Sequence, residues 1–192
     1  MDAAQSDSVI VRRYPDPRLR QVAAPITSFD DQLKALVARL LDTMYADHGV
    51  GLAAPQIGLP WRLFVTDHHA GLEDREPAPQ AWINPRITAS SGSMTNEEGC
   101  LSVPGIYAKV NRPSQITVCW QDLSGQEHEA CYDADQGDFL AVVIQHEYDH
   151  LEGRLFIDHL SPTQLTMINR RLRDLEQDYK RTTGSKGAVV RR

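Results

Sequence analysis

Disulfide chemistry, membrane anchoring and broad positive charge all find little support in this sequence. Cys100, Cys119 and Cys131 are the only three cysteines, an odd number with no CxxC pair, which fits neither a disulfide framework nor a zinc ribbon. No stretch approaches the roughly 18 apolar residues of a membrane span. The opening MDAAQSDSVIVRR places acids before any base and holds no apolar run resembling a secretory leader. A cytoplasmic, reducing location is the expectation, with no membrane partner. The formal net charge of -6 argues against DNA or RNA binding over the whole surface. Only the end of the chain departs from this balance: from residue 170 onward eight Lys or Arg stand against three acids, a local charge of +5.

What is present is the composition of a folded chain. With 192 residues, 41% of them hydrophobic and 24% charged, one domain with a real core is expected. We assign residues 1–7 to a flexible polar tail, 8–180 to a single domain and 181–192 to a disordered basic tail. Ser28 with Asp31, followed by Leu33, Leu36, Val37, Leu40, Leu41 and Met44, predicts an amphipathic helix over about 29–46. Short β-like runs follow at 62–66, 81–88, 114–121 and 127–133, the last two flanking the hairpin signal DLSG. DFLAVVIQHEYDHLEG reads as a buried helix ending at Gly153. Ser161, Pro162 and Gln164 carry the capping signals of a final helix, whose stripe Leu165, Ile168, Leu172, Leu175 and Tyr179 is read as packing against the parent domain. The class is α+β, with short antiparallel sheets surrounding a central metal-binding helix and an amphipathic helix toward each end.

The chemistry concentrates in three strips. In QHEYDHLEG, a helix turns His146 and His150 onto one face where both can grip one ion, with Glu147 to the side, placed to manage the proton of a water. Chance supplies only roughly 0.01 such matches in a chain of this composition, which favours a site over two satisfied histidines. The nearly uncharged GVGLAAPQIG, residues 49–58, loosely matches a dinucleotide loop, but a helix precedes it and Pro55 interrupts it, so that reading fails. It suits close backbone approach by a ligand, with Gln56 as its polar exception, and a plain turn with Gln56 at the surface is the competing reading. NEEGCLSVPG places Cys100 in a loop, where a thiolate can serve a metal, whereas Cys119 and Cys131 lie in strand patterns as small core residues. A third histidine in the common peptidase pattern would fall at Phe156; His159 is three residues too late, and Glu176 on the final helix is a poor substitute. That directs the search for a third ligand upstream, without choosing one.

Taken in order, GVGLAAPQIG, EEGCLS and QHEYDHLEG resemble the three signature motifs of the bacterial peptide deformylases, and VRRYPDPRLRQVAAPI, WINPRI and GRLFIDHLSP extend the resemblance over roughly residues 8–180. The resemblance implies Cys100, His146 and His150 as metal ligands and Glu147 as general base and acid. It implies Gln56 and the Leu101 backbone N–H as oxyanion donors. Val50, Phe139, Val142 and Val143 would line the methionine pocket, with Gly51 and Gly99 beside the substrate backbone. The implied cofactor is one divalent ion, Fe(II), with zinc, nickel or cobalt as substitutes. The implied reaction is release of formate from N-formyl-methionyl nascent peptides, and the basic end becomes a candidate for weak ribosome contact against the plainer reading of a solvated helix face. A metallo-endopeptidase and a non-catalytic metal-stabilised binding protein are the alternatives.

Overall fold

Asp30, rather than Ser28, opens the first helix. Its carboxylate accepts the Leu33 backbone N–H at 3.0 Å, so α1 runs Asp31–Ala46 instead of starting near 29. The computed structural model describes residues 10–190, and the 1–7 tail therefore lies outside the described residues. Seven strands follow α1: β1 Gly51–Ala53, β2 Leu63–Thr66, β3 Gln80–Ser91, β4 Met94–Cys100, β5 Val103–Arg112, β6 Gln115–Gln121 and β7 Glu127–Asp133. The helices α2, Leu140–Leu151, and α3, Pro162–Thr183, complete the chain.

All strand pairings between these elements are antiparallel. One sheet has the order β1-β2-β3-β6-β7, and β4 with β5 forms a second. The predicted hairpin is β6-β7, where Asp122 Oδ1 accepts the backbone N–H groups of Ser124 and Gln126. Helix α1 covers the β1-β2-β3 end of the large sheet, with Leu40 and Met44 against Leu52, Leu63, Val65 and Ile83. Helix α2 is buried around most of its circumference, polar residues included, and packs Leu140, Ala141, Ile144 and Leu151 against Phe64, Trp82 and Val118. The third cluster sets Leu165 and Leu172 of α3 on Val103, Ile106 and Val110 of β5, with Tyr14 and Phe156. The reciprocal Ser161–Gln164 cap forms as expected, the Ser161 N–H donating to Gln164 Oε1 at 2.9 Å. No helix among the described residues is long and apolar enough to cross a membrane.

Three expectations change. The 96–105 segment is two strand ends joined by a turn at 101–102 rather than a loop: Cys100 is the last residue of β4, and the pairing register with β5 slips between Gly99 and Cys100. Hydrophobic alternation could not reveal these strands, because Glu98 fills the buried position of β4 and Arg112 one of those on β5. Cys119 and Cys131 are not core residues. They take the outer face of the large sheet, Cys131 exposed and Cys119 half-buried, while Ile116, Val118, Trp120 and Tyr132 fill the inner face. Finally, 181–190 is not loose: α3 continues to Thr183, Gly184 ends it at φ 73°, and the chain turns back so that Ala188 N–H donates to the Pro15 carbonyl at 2.8 Å. Residues 191–192 lie outside the described residues.

Leu172 is wholly buried and Leu175, on the same stripe, only partly. Leu172→Ala is expected to cost about 3 kcal/mol and Leu175→Ala clearly less, measured by urea unfolding. Equal losses would mean that α3 does not present Leu172 to the core.

Candidate metal centre

Helix α2 carries His146 and His150 on one face, their ring centroids 5.2 Å apart. Cys100 arrives from the end of β4, and its Sγ lies 3.3 Å from His150 Nε2. One donor atom from each of the three residues falls within 4.8 Å of the others, a set that could hold a metal ion. Cys100 is thus the upstream residue that elimination could not choose. A thiolate with two imidazoles suits a borderline divalent ion. The orientation of His146 fits that use, because its Nδ1 donates to Glu98 Oε2 at 2.9 Å and leaves the other ring nitrogen for the centre.

Gln56 is buried, not at the surface, in the short 3-10 turn Ala54–Ile57. The Ala53 N–H donates to its Oε1 at 2.7 Å, which turns Nε2 toward Ser102 Oγ at 3.2 Å and Cys100 Sγ at 3.6 Å. Glu147 is also buried, and its Oε2 has no protein hydrogen-bond partner. The β1 backbone runs directly over it: a Cβ on Gly51 would sit 2.5 Å from Glu147 Oε1, so the absence of a side chain there is what lets strand and carboxylate meet. A cleft of about 500 Å³ opens over these groups, lined by Val50, Gly51, Gly99, Leu101, Phe139, Val142 and Val143, along with Gln56, Cys100, His146 and Glu147. Every residue that the resemblance assigns to the site except His150 lines this cleft, and His150 lies beneath, 1% exposed. Ile106 and Tyr107 of β5 line it too, unforeseen because the strand itself was hidden.

Burial pushes the Cys100 thiol up, but the His150 and His146 imidazoles outweigh it and bring its pKa to about 5, so it is a thiolate at neutral pH. Burial raises Glu147 to about 7 against the pull of the same two histidines. Glu98 moves the other way, to about 2, because the hydrogen bonds from Arg112 and His146 overcome its burial. Arg112 holds Glu98 through Nε at 2.5 Å and Nη2 at 2.9 Å, and reaches Asp149 Oδ2 through Nη1 at 2.9 Å. Asp149 is held below the usual carboxylate range despite burial, chiefly by a hydrogen bond from His159 and then by the Arg112 charge. Sequence reading missed Glu98, Arg112 and Asp149. The available signal was a charged residue standing where a strand or buried helix calls for an apolar one.

The sequence model of the polypeptide deformylase family matches residues 9–166, most of the chain. The chain belongs to the polypeptide deformylase family. Peptide deformylase 1 of Shewanella oneidensis is 46% identical over 171 residues, covering 88% of this chain and 97% of that one. The peptide deformylase of Novosphingobium aromaticivorans is 43% identical over 181 residues, covering 85% and 94%. Among solved structures, a plant peptide deformylase superposes with a TM-score of 0.87 at 37% identity, covering 97% of this chain and 98% of that one. The peptide deformylase of Plasmodium falciparum gives 0.85 at 36%, covering 92% and 100%. The α+β architecture of this deformylase, with its central helix, is therefore that of the family.

Removing Arg112 would leave two buried carboxylates without their shared cation. Arg112→Leu is expected to cost this deformylase about 3–5 kcal/mol in chemical unfolding and to loosen bound metal in dialysis against a chelator. Wild-type values in both assays would show that the ion group does not support the centre.

Proposed function

We propose that the chain removes the formyl group from the N-terminal formyl-methionine of newly synthesised polypeptides, consuming water and yielding formate and a free amine. The observation that carries this reading is the position of Glu147: a buried carboxylate with one unpartnered oxygen, lining the same cleft as Cys100 and His146, which with His150 beneath them come within reach of one ion. Cys100, His146 and His150 would hold one divalent metal, Fe(II) on the family's pattern, with zinc, nickel or cobalt accommodated by the same donors. When bound, the ion supplies the Lewis acidity that lets water react near neutral pH.

The chain's own groups do the rest. With a pKa near 7, Glu147 is matched to taking a proton from the attacking water and handing it to the departing amine nitrogen. Gln56, its Oε1 pinned by Ala53, presents Nε2 as a fixed donor, and with the Leu101 N–H it would receive the charge that develops on the formyl oxygen. Donors of this kind are worth on the order of 3 kcal/mol each. Val50, Phe139, Val142, Val143 and the His146 ring form the apolar wall for a methionine side chain. β1 and β4 each lie at the edge of a sheet, and Gly51 and Gly99 bring both edges to the cleft. An extended peptide between them would pair backbone to backbone, making recognition generic past methionine.

A single catalytic domain, working in the cytoplasm and extended past residue 180 by the segment that returns to Pro15, completes the proposal. The basic end keeps Arg170, Arg173, Lys180 and Lys186 exposed, as a solvated face requires; weak ribosome contact is the alternative that salt-dependent co-sedimentation would detect.

Anaerobically purified protein is expected to release formate from formyl-Met-Ala and to leave unformylated peptides intact; cleavage of internal bonds would assign an endopeptidase instead. Glu147→Ala should keep fold and metal while kcat falls about 10²- to 10⁴-fold, and undiminished formate release would remove Glu147 from the mechanism. Gly51→Ala should lower kcat about 100-fold at unchanged metal content by displacing that carboxylate, an idea that a fully active variant would refute.

A further inference from the structure

Five side chains from four elements run in hydrogen-bond contact from the surface to His146. His159 Nε2 lies 2.8 Å from Asp149 Oδ2, the same oxygen accepts from Arg112, Arg112 grips Glu98, and Glu98 accepts from His146 Nδ1. His159 is the outer end, its side chain 29% exposed against 5% for Arg112 and Glu98. It sits in the 3-10 turn Phe156–His159, whose first residue independently touches the same ligand: the Phe156 ring stacks on His146 with centroids 6.1 Å apart and planes 24° from parallel.

We propose that the turn Phe156–His159 is the orienting element of the metal centre, with His159 a positioning residue that holds His146 through Asp149, Arg112 and Glu98. This rests on the reading of Cys100, His146 and His150 as metal ligands. The transmission is geometric. A guanidinium is a rigid planar fork, so the plane of Arg112 is fixed jointly by Glu98 on one side and Asp149 on the other. Asp149 Oδ2 stands between two donors, and losing His159 leaves Arg112 as its only side-chain partner among the described hydrogen bonds. Its carboxylate is then free to rotate, Arg112 follows, and Glu98 Oε2 shifts relative to His146 Nδ1. That last contact sets both the tautomer and the direction of the ligand ring. Phe156 holds the ring's face while the relay holds its edge. Phe156, where a peptidase pattern would place its third ligand, and His159, three residues beyond, therefore both act on His146 without binding the ion.

Co(II) is the probe, titrated into the metal-free full-length chain against a chromophoric chelator, with its visible absorption recorded. The Gln amide nitrogen superimposes on His Nε2 and reaches Asp149, whereas the Asn amide stops short, so His159→Gln and His159→Asn differ in that one hydrogen bond. His159→Asn is expected to weaken Co(II) binding on the order of tenfold, shift the visible bands and lower kcat with KM unchanged; His159→Gln should stay within about twofold of wild type. His159→Phe provides the same loss of donor if the Asn variant does not fold. Wild-type affinity and spectrum in a donor-less variant, or equal weakening in Gln and Asn variants with matching losses of metal-free melting temperature, would overturn the proposal. A wild-type chain that binds no Co(II) would instead overturn the ligand reading and this proposal with it.

Discussion

Arg112 is the residue on which the relative placement of Cys100 and the two histidines depends. Cys100 comes from β4 and the two histidines from α2, elements of different sheets and layers, and nothing in the covalent chain holds them in register. Arg112, on β5, takes Glu98 of β4 with one side of its fork and Asp149 of α2 with the other. Glu98 is two residues from Cys100, and Asp149 is next to His150, so one guanidinium clamps together the two backbones that carry this Cys–His–His set. Such buried ions are costly to desolvate and add little net stability. Their contribution is uniqueness: an apolar replacement could fill the same volume but would tolerate sliding of β4 along α2, and a thiolate displaced by a fraction of an ångström no longer meets both imidazoles.

The cleft reflects a second constraint, the burial of α2. Leu140, Ala141, Ile144 and Leu151 are committed to the large sheet, so its polar groups fall on the remaining side, where His146 meets Glu98 of β4, Asp149 meets Arg112 of β5 and Glu147 lies under the β1 backbone. The low polarity that makes the helix stable also leaves Glu147 poorly solvated and raises it to about 7. The packing that holds the fold and the acid–base behaviour of the site therefore have the same origin.

The parts of this arrangement that follow local rules were legible in the sequence. Helix α3 showed through its cap at Ser161 and its stripe, β6 and β7 through alternation around DLSG, and the two histidines through their four-residue spacing. β4 and β5 were not, because alternation looks for apolar residues and the buried positions hold Glu98 and Arg112. The strand character of Cys100 and the β5 wall of the cleft were lost with them. Gln56 could not be placed from composition, since a glutamine is buried only where partners as distant as Ser102 satisfy it. Cys119 and Cys131 misled for the opposite reason: their residue type suggests burial, but the period of β6 and β7 had already given the inner face to larger side chains. The family resemblance supplied the ligand set that spacing left open.

The return of the last described residues to Tyr14 and Pro15 bears on the order in which the molecule can be completed. Tyr14 donates its hydroxyl to Glu176 and accepts from the Val190 backbone, while its own backbone N–H is bound to the Ser102 carbonyl and that of Arg12 to the Gln56 carbonyl. A chain emerging N-terminus first therefore makes this early segment almost at once but cannot give Tyr14 its final partners until some 175 further residues exist. The segment whose Arg12 backbone braces Gln56 is thus tied, two residues further on at Tyr14, to chain made much later, so its full set of contacts comes only after residue 190 has been added.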